Sequence, residues 1–218
     1  MKRKRTPTRF RLPYTRRQAY DMLLAACRAE VVSRRREFAA TEGFLRHVMD
    51  AASWLTSEEP TFGLFLCGSA GNGKTTLLRA LQSLVRWLRR NDRERDDLPY
   101  VSGFEIVGAK ELVLLAKAYN GQTRDNRPET GRYKRLRDME VLAIDDLGSE
   151  PVESMVYGES VTTVMDLMSY RYDMQLTTLA TSNISADRIK DRYDNRMADR
   201  FREMMRVINF GNEPSFRK

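Results

Sequence analysis

The sequence predicts an α/β fold: a parallel sheet with helices packed on both faces. Three observations predict it. Short apolar runs of strand length alternate with amphipathic stretches of helix length from "TFGLFLCG" (61–68) onward. A glycine-rich loop joins that first run directly to a helix-patterned stretch. A later apolar run, "EVLAIDD", ends in two adjacent acids.

The chain opens on a basic arm. Residues 1–17, "MKRKRTPTRFRLPYTRR", contain eight Lys/Arg and no Asp/Glu, which equals the net charge of +8 of all 218 residues. The remainder is formally neutral. Such an arm suits nucleic-acid phosphates or an acidic partner, and it equally resembles a solubilising terminus. It has the charge of a secretion signal without the apolar segment, so no signal is expected. No apolar run is long enough to span a membrane. Cys27 and Cys67 are too few for a disulfide framework, and with one histidine they make no four-ligand zinc site. The expectation is a reduced, cytoplasmic protein without membrane contact. His47, in "FLRHVMDAASWL", reads as a partly exposed residue of an amphipathic helix.

Each element follows from its pattern. In "TRRQAYDMLLAACRAEVVSRRREF", Ala19, Leu23, Cys27 and Val31 form one helical stripe, closed by Arg34, Arg35 and Arg36. A second amphipathic helix covers 42–56, ended by "EEP". After the glycine loop, "KTTLLRALQSLVRWLRR" is a helix, "NDRERDDLP" a charged link, and "YVSGFEIVG" holds a strand. "AKELVLLAKAYN" is a helix followed by a polar loop, then comes the strand "EVLAIDD". "GESVTTVMDLMSYRYD" is a helix and "LTTLATS" a strand; two short helical segments and "RVINF" finish the chain. Two regions are expected: 1–40, a basic arm with its helix, and 41–218, the α/β core.

"GSAGNGKTT" fits the pattern G-x-x-x-x-G-K-[ST]. Gly71 and Gly73 permit backbone conformations closed to residues with a Cβ. Gly68, Ser69, Asn72 and Thr76 complete a loop whose amides converge on phosphates at a helix N-terminus. Lys74 would neutralise the β- and γ-phosphates, and the Thr75 hydroxyl would ligate Mg²⁺. Asp145 and Asp146 lie where a strand of an open α/β sheet delivers residues to a ligand. Asp145 is the expected Mg²⁺ partner and Asp146 the expected base or water-orienting carboxylate, with Glu150 as an alternative base. The commoner residue at 146 is Glu, which reaches one methylene further, so slow turnover is expected. Asn183, ending "LTTLATSN", is placed to orient water beside the γ-phosphate, or else to cap a helix in "SNISAD".

These motifs, in this order, resemble the AAA+ ATPases of the DnaC helicase-loader and IstB transposition-helper group. The resemblance rests on "GSAGNGKTTL", "VLAIDDLG", "ATSN" and "RMADRF", covers about residues 60–210, and extends weakly to the closing "FGNEPSFRK". It implies a P-loop NTPase core of RecA-like type, ATP as the nucleotide, and an assembly in which one subunit's arginine completes its neighbour's site. "RMADRF" matches the segment that carries this arginine, with Arg200 the better match and Arg196 the second. The competing reading is a salt-bridged surface helix, since Arg196 and Arg200 lie at i,i+4 near Asp199 and Glu203. The sequence continues eight residues past Phe210, so no C-terminal helical lid is expected.

The resemblance also implies partners: a replicative helicase, single-stranded DNA and further copies of the chain. Lys110, Lys117, Tyr119 and Arg124 are candidate DNA contacts, against a plain surface helix with Leu112 and Leu115 turned inward. The leading expectation is an ATPase that loads a replicative helicase onto single-stranded DNA, with hydrolysis as the release switch. The alternatives are an IstB-like helper of a transposase on double-stranded DNA and a small P-loop kinase.

Overall fold

A computed structural model describes residues 10–58, 61–91, 104–120, 128–151, 154–156, 159–211 and 216. Arg124 and the link 92–99 lie outside these residues, as do residues 1–9 of the arm and 212–215 of the closing segment.

Two helices precede the sheet. The first, α1 (Arg16–Ser33), starts on a reciprocal cap. The Gln18 amide donates to Thr15 Oγ1, and the Thr15 amide donates to Gln18 Oε1. Ala19, Leu23 and Cys27 form its buried stripe, as the periodicity predicts, and the chain turns away at Arg35 with a positive φ. The second, α2 (Glu42–Thr56), is capped by Thr41. Both pack with α3 (Lys74–Asn91) into one core that also takes in Phe10 and Leu12.

The sheet has five parallel strands in the order β2-β3-β6-β1-β7. They are β1 (Gly63–Cys67), β2 (Glu105–Gly108), β3 (Val141–Leu147), β6 (Thr177–Ser182) and β7 (Met205–Asn209). Every residue of β1 and β6 is buried, as a central strand covered on both faces requires. Successive side chains alternate between faces. Leu64 and Leu66 of β1 therefore join the core under α1, α2 and α3, while Phe65 and Cys67 join the opposite core. That second core is built with α4 (Ala109–Asn120), α5 (Pro128–Asp138), α6 (Thr163–Asp173) and α8 (Asn195–Met204). Its neighbours β4 (Ser154–Val156) and β5 (Glu159–Val161) form a separate antiparallel ribbon, and α7 (Ile189–Arg192) follows a short 3₁₀ turn at Ala186–Arg188. Among the described residues, no helix is long and apolar enough to cross a membrane.

Three local expectations are corrected. The polar stretch before β3 contains α5; Pro128 suits a first helical turn, and Tyr133 with Leu136 is enough apolar anchor at i,i+3. The helix expected from residue 158 begins only at Thr163, because 159–161 pair with β4 and the β-branched run Val161-Thr162-Thr163 favours extension. His47 is buried, with its ring 4.1 Å from that of Phe210.

One buried cation ties the second core together. Arg171 of α6 is fully buried and forms no salt bridge among the described residues, the Asp138 carboxylate acting on it only at longer range. Its guanidinium donates to the carbonyls of Arg137 (3.0 Å) and Met139 (2.9 Å) at the end of α5. It also donates to Thr177 O (2.6 Å) and Thr178 Oγ1 (2.8 Å) at the start of β6. Burial pulls its pKa down to about 9, with Tyr170 and Asp138 acting in the opposite direction, so the guanidinium stays charged at neutral pH.

Candidate functional site

The loop 68–73 leaves the end of β1 and enters α3 at Lys74. Its glycines are required by shape. Gly68 and Gly73 have φ of 132° and 98°, in the left-handed half of backbone space. A Cβ on Gly73 would stand 2.8 Å from the ring of Phe44, and one on Gly68 would stand 2.9 Å from Gly211 O. Lys74 is buried inside the loop. Its ammonium donates to Gly68 O (2.7 Å), Ser69 O (2.6 Å) and Asn72 Oδ1 (3.2 Å). Asn72 is itself fully buried and braces the loop from within. Thr75 and Thr76 occupy the first turn of α3 and are half-buried.

The acids arrive on the strand two places away from β1. β3 breaks register with β6 between Ile144 and Leu147, and Asp146 takes a φ of 58° at that break. Aspartate tolerates this conformation better than most side chains. Asp145 is thereby turned toward the loop. Its Oδ1 accepts from Thr75 Oγ1 (3.0 Å) and from Thr181 Oγ1 (2.5 Å). Adjacent ligands in an octahedral Mg²⁺ shell at about 2.1 Å lie about 3 Å apart. The Thr75–Asp145 separation fits that shell. Three or more acids, histidines or cysteines nowhere converge among the described residues. A cation here would depend on Thr75, Asp145 and a bound phosphate together.

Thr181 is the residue that sequence reasoning missed. Its fully buried hydroxyl donates to Asp145 and accepts from the Asp146 amide (2.9 Å). Next to it, Ser182 Oγ donates to Leu147 O (2.5 Å) and accepts from the Ile184 amide (2.9 Å). Two hydroxyls of β6 thus weld the acid-bearing end of β3 in place. The available signal was their position in "TLATSN", on the strand already marked by Asn183.

Asp146 and Asn183 are both exposed at the C-terminal ends of neighbouring strands. Glu150 is buried and engaged: it accepts from the Gly148 amide (2.8 Å) and from the Tyr193 hydroxyl (2.5 Å), and its carbonyl accepts from Arg192. Burial, with the Glu150 charge second, pushes the Tyr193 phenol well above its ordinary pKa. This is a brace between α7 and the loop after β3, which leaves Glu150 poorly placed as a base.

The two arginines of α8 differ. Arg200 has a side chain 15% exposed, lies 3.3 Å from Asp173 Oδ1 and sits 5.0 Å over the Tyr172 ring. Arg196, one turn nearer the start of the helix, is exposed and has no partner among the described residues. The salt-bridge pattern expected along the helix reduces to Arg202–Asp199 at 2.5 Å; Glu203 takes the Tyr172 hydroxyl instead. On α4, Leu112 and Leu115 face inward as expected, Lys110 is exposed and Lys117 half-buried. Tyr119 packs on Tyr133 at 5.2 Å, which occupies the ring offered for base stacking.

No model of a known protein family and no curated protein matches the chain. Solved structures do. The crystal structure of a DnaC helicase loader matches 79% of this chain and 92% of its own at 21% identity, with a TM-score of 0.57. That of DnaI matches 85% and 93% at 20% identity, with a TM-score of 0.55. AMPPCP-bound DnaA from Aquifex aeolicus matches 78% of this chain and 48% of its own at 16% identity, with a TM-score of 0.52. The strand order, the phosphate loop and these likenesses agree on one conclusion: the chain has the P-loop AAA+ fold.

Proposed function

We propose that the protein is a Mg²⁺-dependent ATPase that serves DNA replication by delivering a replicative helicase to single-stranded DNA, with hydrolysis as the release switch. The observation that carries the ATPase reading is the coupling of Thr75 to Asp145 at 3.0 Å beside a lysine-filled glycine loop. The loader reading is supported by likeness to the structure of a DnaC helicase loader over most of both chains. Lys74 would exchange its carbonyl partners for β- and γ-phosphate oxygens. Thr75 and Asp145 would hold Mg²⁺, which supplies neutralisation of phosphate charge. Asp146 would take the proton of the attacking water, and Asn183 would orient that water.

Completion of the site in trans falls to α8. Arg200 is the better motif match, yet it must first leave Asp173 and Tyr172, an ion pair and ring contact together worth on the order of 1–2 kcal/mol. Arg196 needs no such release. The test is ATP hydrolysis against protein concentration for wild type, Lys74→Ala, Arg196→Ala and Arg200→Ala. Lys74→Ala should abolish turnover. Rate per subunit should rise with concentration, and mixing the finger variant with Lys74→Ala should restore part of the activity. A rate independent of concentration and of both arginines would overturn the assembled-site reading.

A further inference from the structure

A groove of roughly 700 Å³ runs between α1, α3 and the edge strand β2, away from the phosphate loop. Arg79, Gln82, Ser83 and Arg86 of α3 line one wall, with Glu30 of α1 and Glu105 of β2 opposite. Both acids are already committed: Glu30 pairs with Arg34, and Glu105 pairs with Arg135 at 2.8 Å. Arg79 and Arg86 have no partner among the described residues, and neither has Arg90 one turn further on. Among the described residues, the groove therefore presents two arginines without a carboxylate partner.

Residues 79, 83, 86, 87 and 90 share one face of α3. Trp87 is the large side chain on that face and is 55% exposed, although a tryptophan normally buries most of its surface. Along the helix axis Arg79 and Arg86 are about 10 Å apart, and Arg86 and Arg90 about 6 Å. The floor of the groove is where Gln82 Nε2 donates to Phe104 O at 2.7 Å. Phe10 packs edge-to-face on Phe104, with ring centroids 6.4 Å apart. The basic arm thus joins the described fold beside the groove. Residues 1–9 carry five Lys/Arg and no acid.

We propose that this groove, together with the exposed Trp87 on the same face of α3, binds a single strand of nucleic acid. The Arg79 and Arg86 guanidiniums neutralise backbone phosphates, and the exposed indole stacks on a base. An acidic peptide would satisfy the arginines but would leave the flat ring unused. A duplex would satisfy them too, yet its bases are stacked on each other and closed to the ring. The proposal does not rest on the ATPase reading.

The test uses the full chain without nucleotide, a labelled oligo(dT), and the emission of its two tryptophans. Trp54 is buried, so quenching on binding reports Trp87. Wild type should bind with quenching and with an affinity that falls steeply with salt. Arg79→Glu with Arg86→Glu should weaken binding by about tenfold or more and flatten the salt dependence. Trp87→Ala should weaken it by about tenfold and remove the quenching. Basal ATP hydrolysis and the circular dichroism of these variants should match wild type, and Lys74→Ala should keep its oligonucleotide affinity. Absence of ATP hydrolysis in wild type, with oligo(dT) binding and quenching intact, would sink the ATPase reading and leave the groove standing. Unchanged oligonucleotide binding in the groove variants, with loss in Lys110→Glu/Lys117→Glu, would overturn the proposal in favour of α4. Quenching by poly-glutamate and not by oligo(dT) would overturn it in favour of an acidic protein.

Discussion

The hydroxyl of Thr181 settles where both acids point, because it donates to one and accepts from the amide of the other. Thr181→Val keeps the shape and removes both bonds. Fixing a metal ligand's orientation from outside the first shell commonly contributes 10- to 100-fold in metal affinity. If the protein is the Mg²⁺-dependent ATPase proposed above, the Mg²⁺ concentration needed for hydrolysis should rise by about that factor, read from a metal titration, with the melting temperature lowered by only a few degrees. A second residue-scale expectation concerns the thiols. Burial, with Glu30 second, pushes Cys27 up to about 12, and burial raises Cys67 as well. The folded state therefore holds almost no thiolate at mildly alkaline pH. A thiol-specific reagent should find no fast-reacting cysteine in the native protein and two after denaturation. The site residues were legible at this scale where side-chain chemistry is distinctive, as in "GNGKT" and "IDD". Thr181 was not, because a threonine in an apolar strand reads as β-propensity until its register with the acids is known.

Helix α5 depends on a residue from another element. Its last carbonyls are capped by Arg171 of α6, which reaches on to the first residues of β6. Arg171→Met would leave those buried acceptors unsatisfied, at a cost of about 1–3 kcal/mol for each group that water cannot reach. The denaturant midpoint should drop accordingly, with the nucleotide site losing order as β6 loosens. Arg171→Lys should not rescue it, since an ammonium cannot span a fork of acceptors on two elements. This explains why α5 escaped the sequence reading. Its stripe is short and its stop signal lies in a residue far along the chain. The helices α1, α2 and α3 were legible because each carries its own apolar stripe, and α1 and α2 their own caps as well.

At the scale of the molecule, parallel strands put the phosphate loop, both aspartates and Asn183 at one end of the sheet. Alternation of strands and helices announced that polarity, but the order β2-β3-β6-β1-β7 was not spelled out by any local signal. The charge is just as polarised. Since the chain from residue 18 onward is formally neutral, removing residues 1–9 should take away most of the salt-dependent retention on a cation exchanger while leaving ATP hydrolysis unchanged.

The chain's last described residues also touch the phosphate loop. The Ser69 amide donates to Gly211 O at 3.0 Å, the Phe216 amide donates to Gly71 O at 2.9 Å, and the Phe216 ring meets Phe44 edge-on. A purification handle or fluorescent fusion appended at the C-terminus would therefore hang from the very loop whose affinity it is meant to help measure. An N-terminal handle would instead load the basic arm. A tag cleavable at the C-terminal junction separates these effects: nucleotide affinity should change on cleavage, and it should stay constant if the tail contacts are incidental.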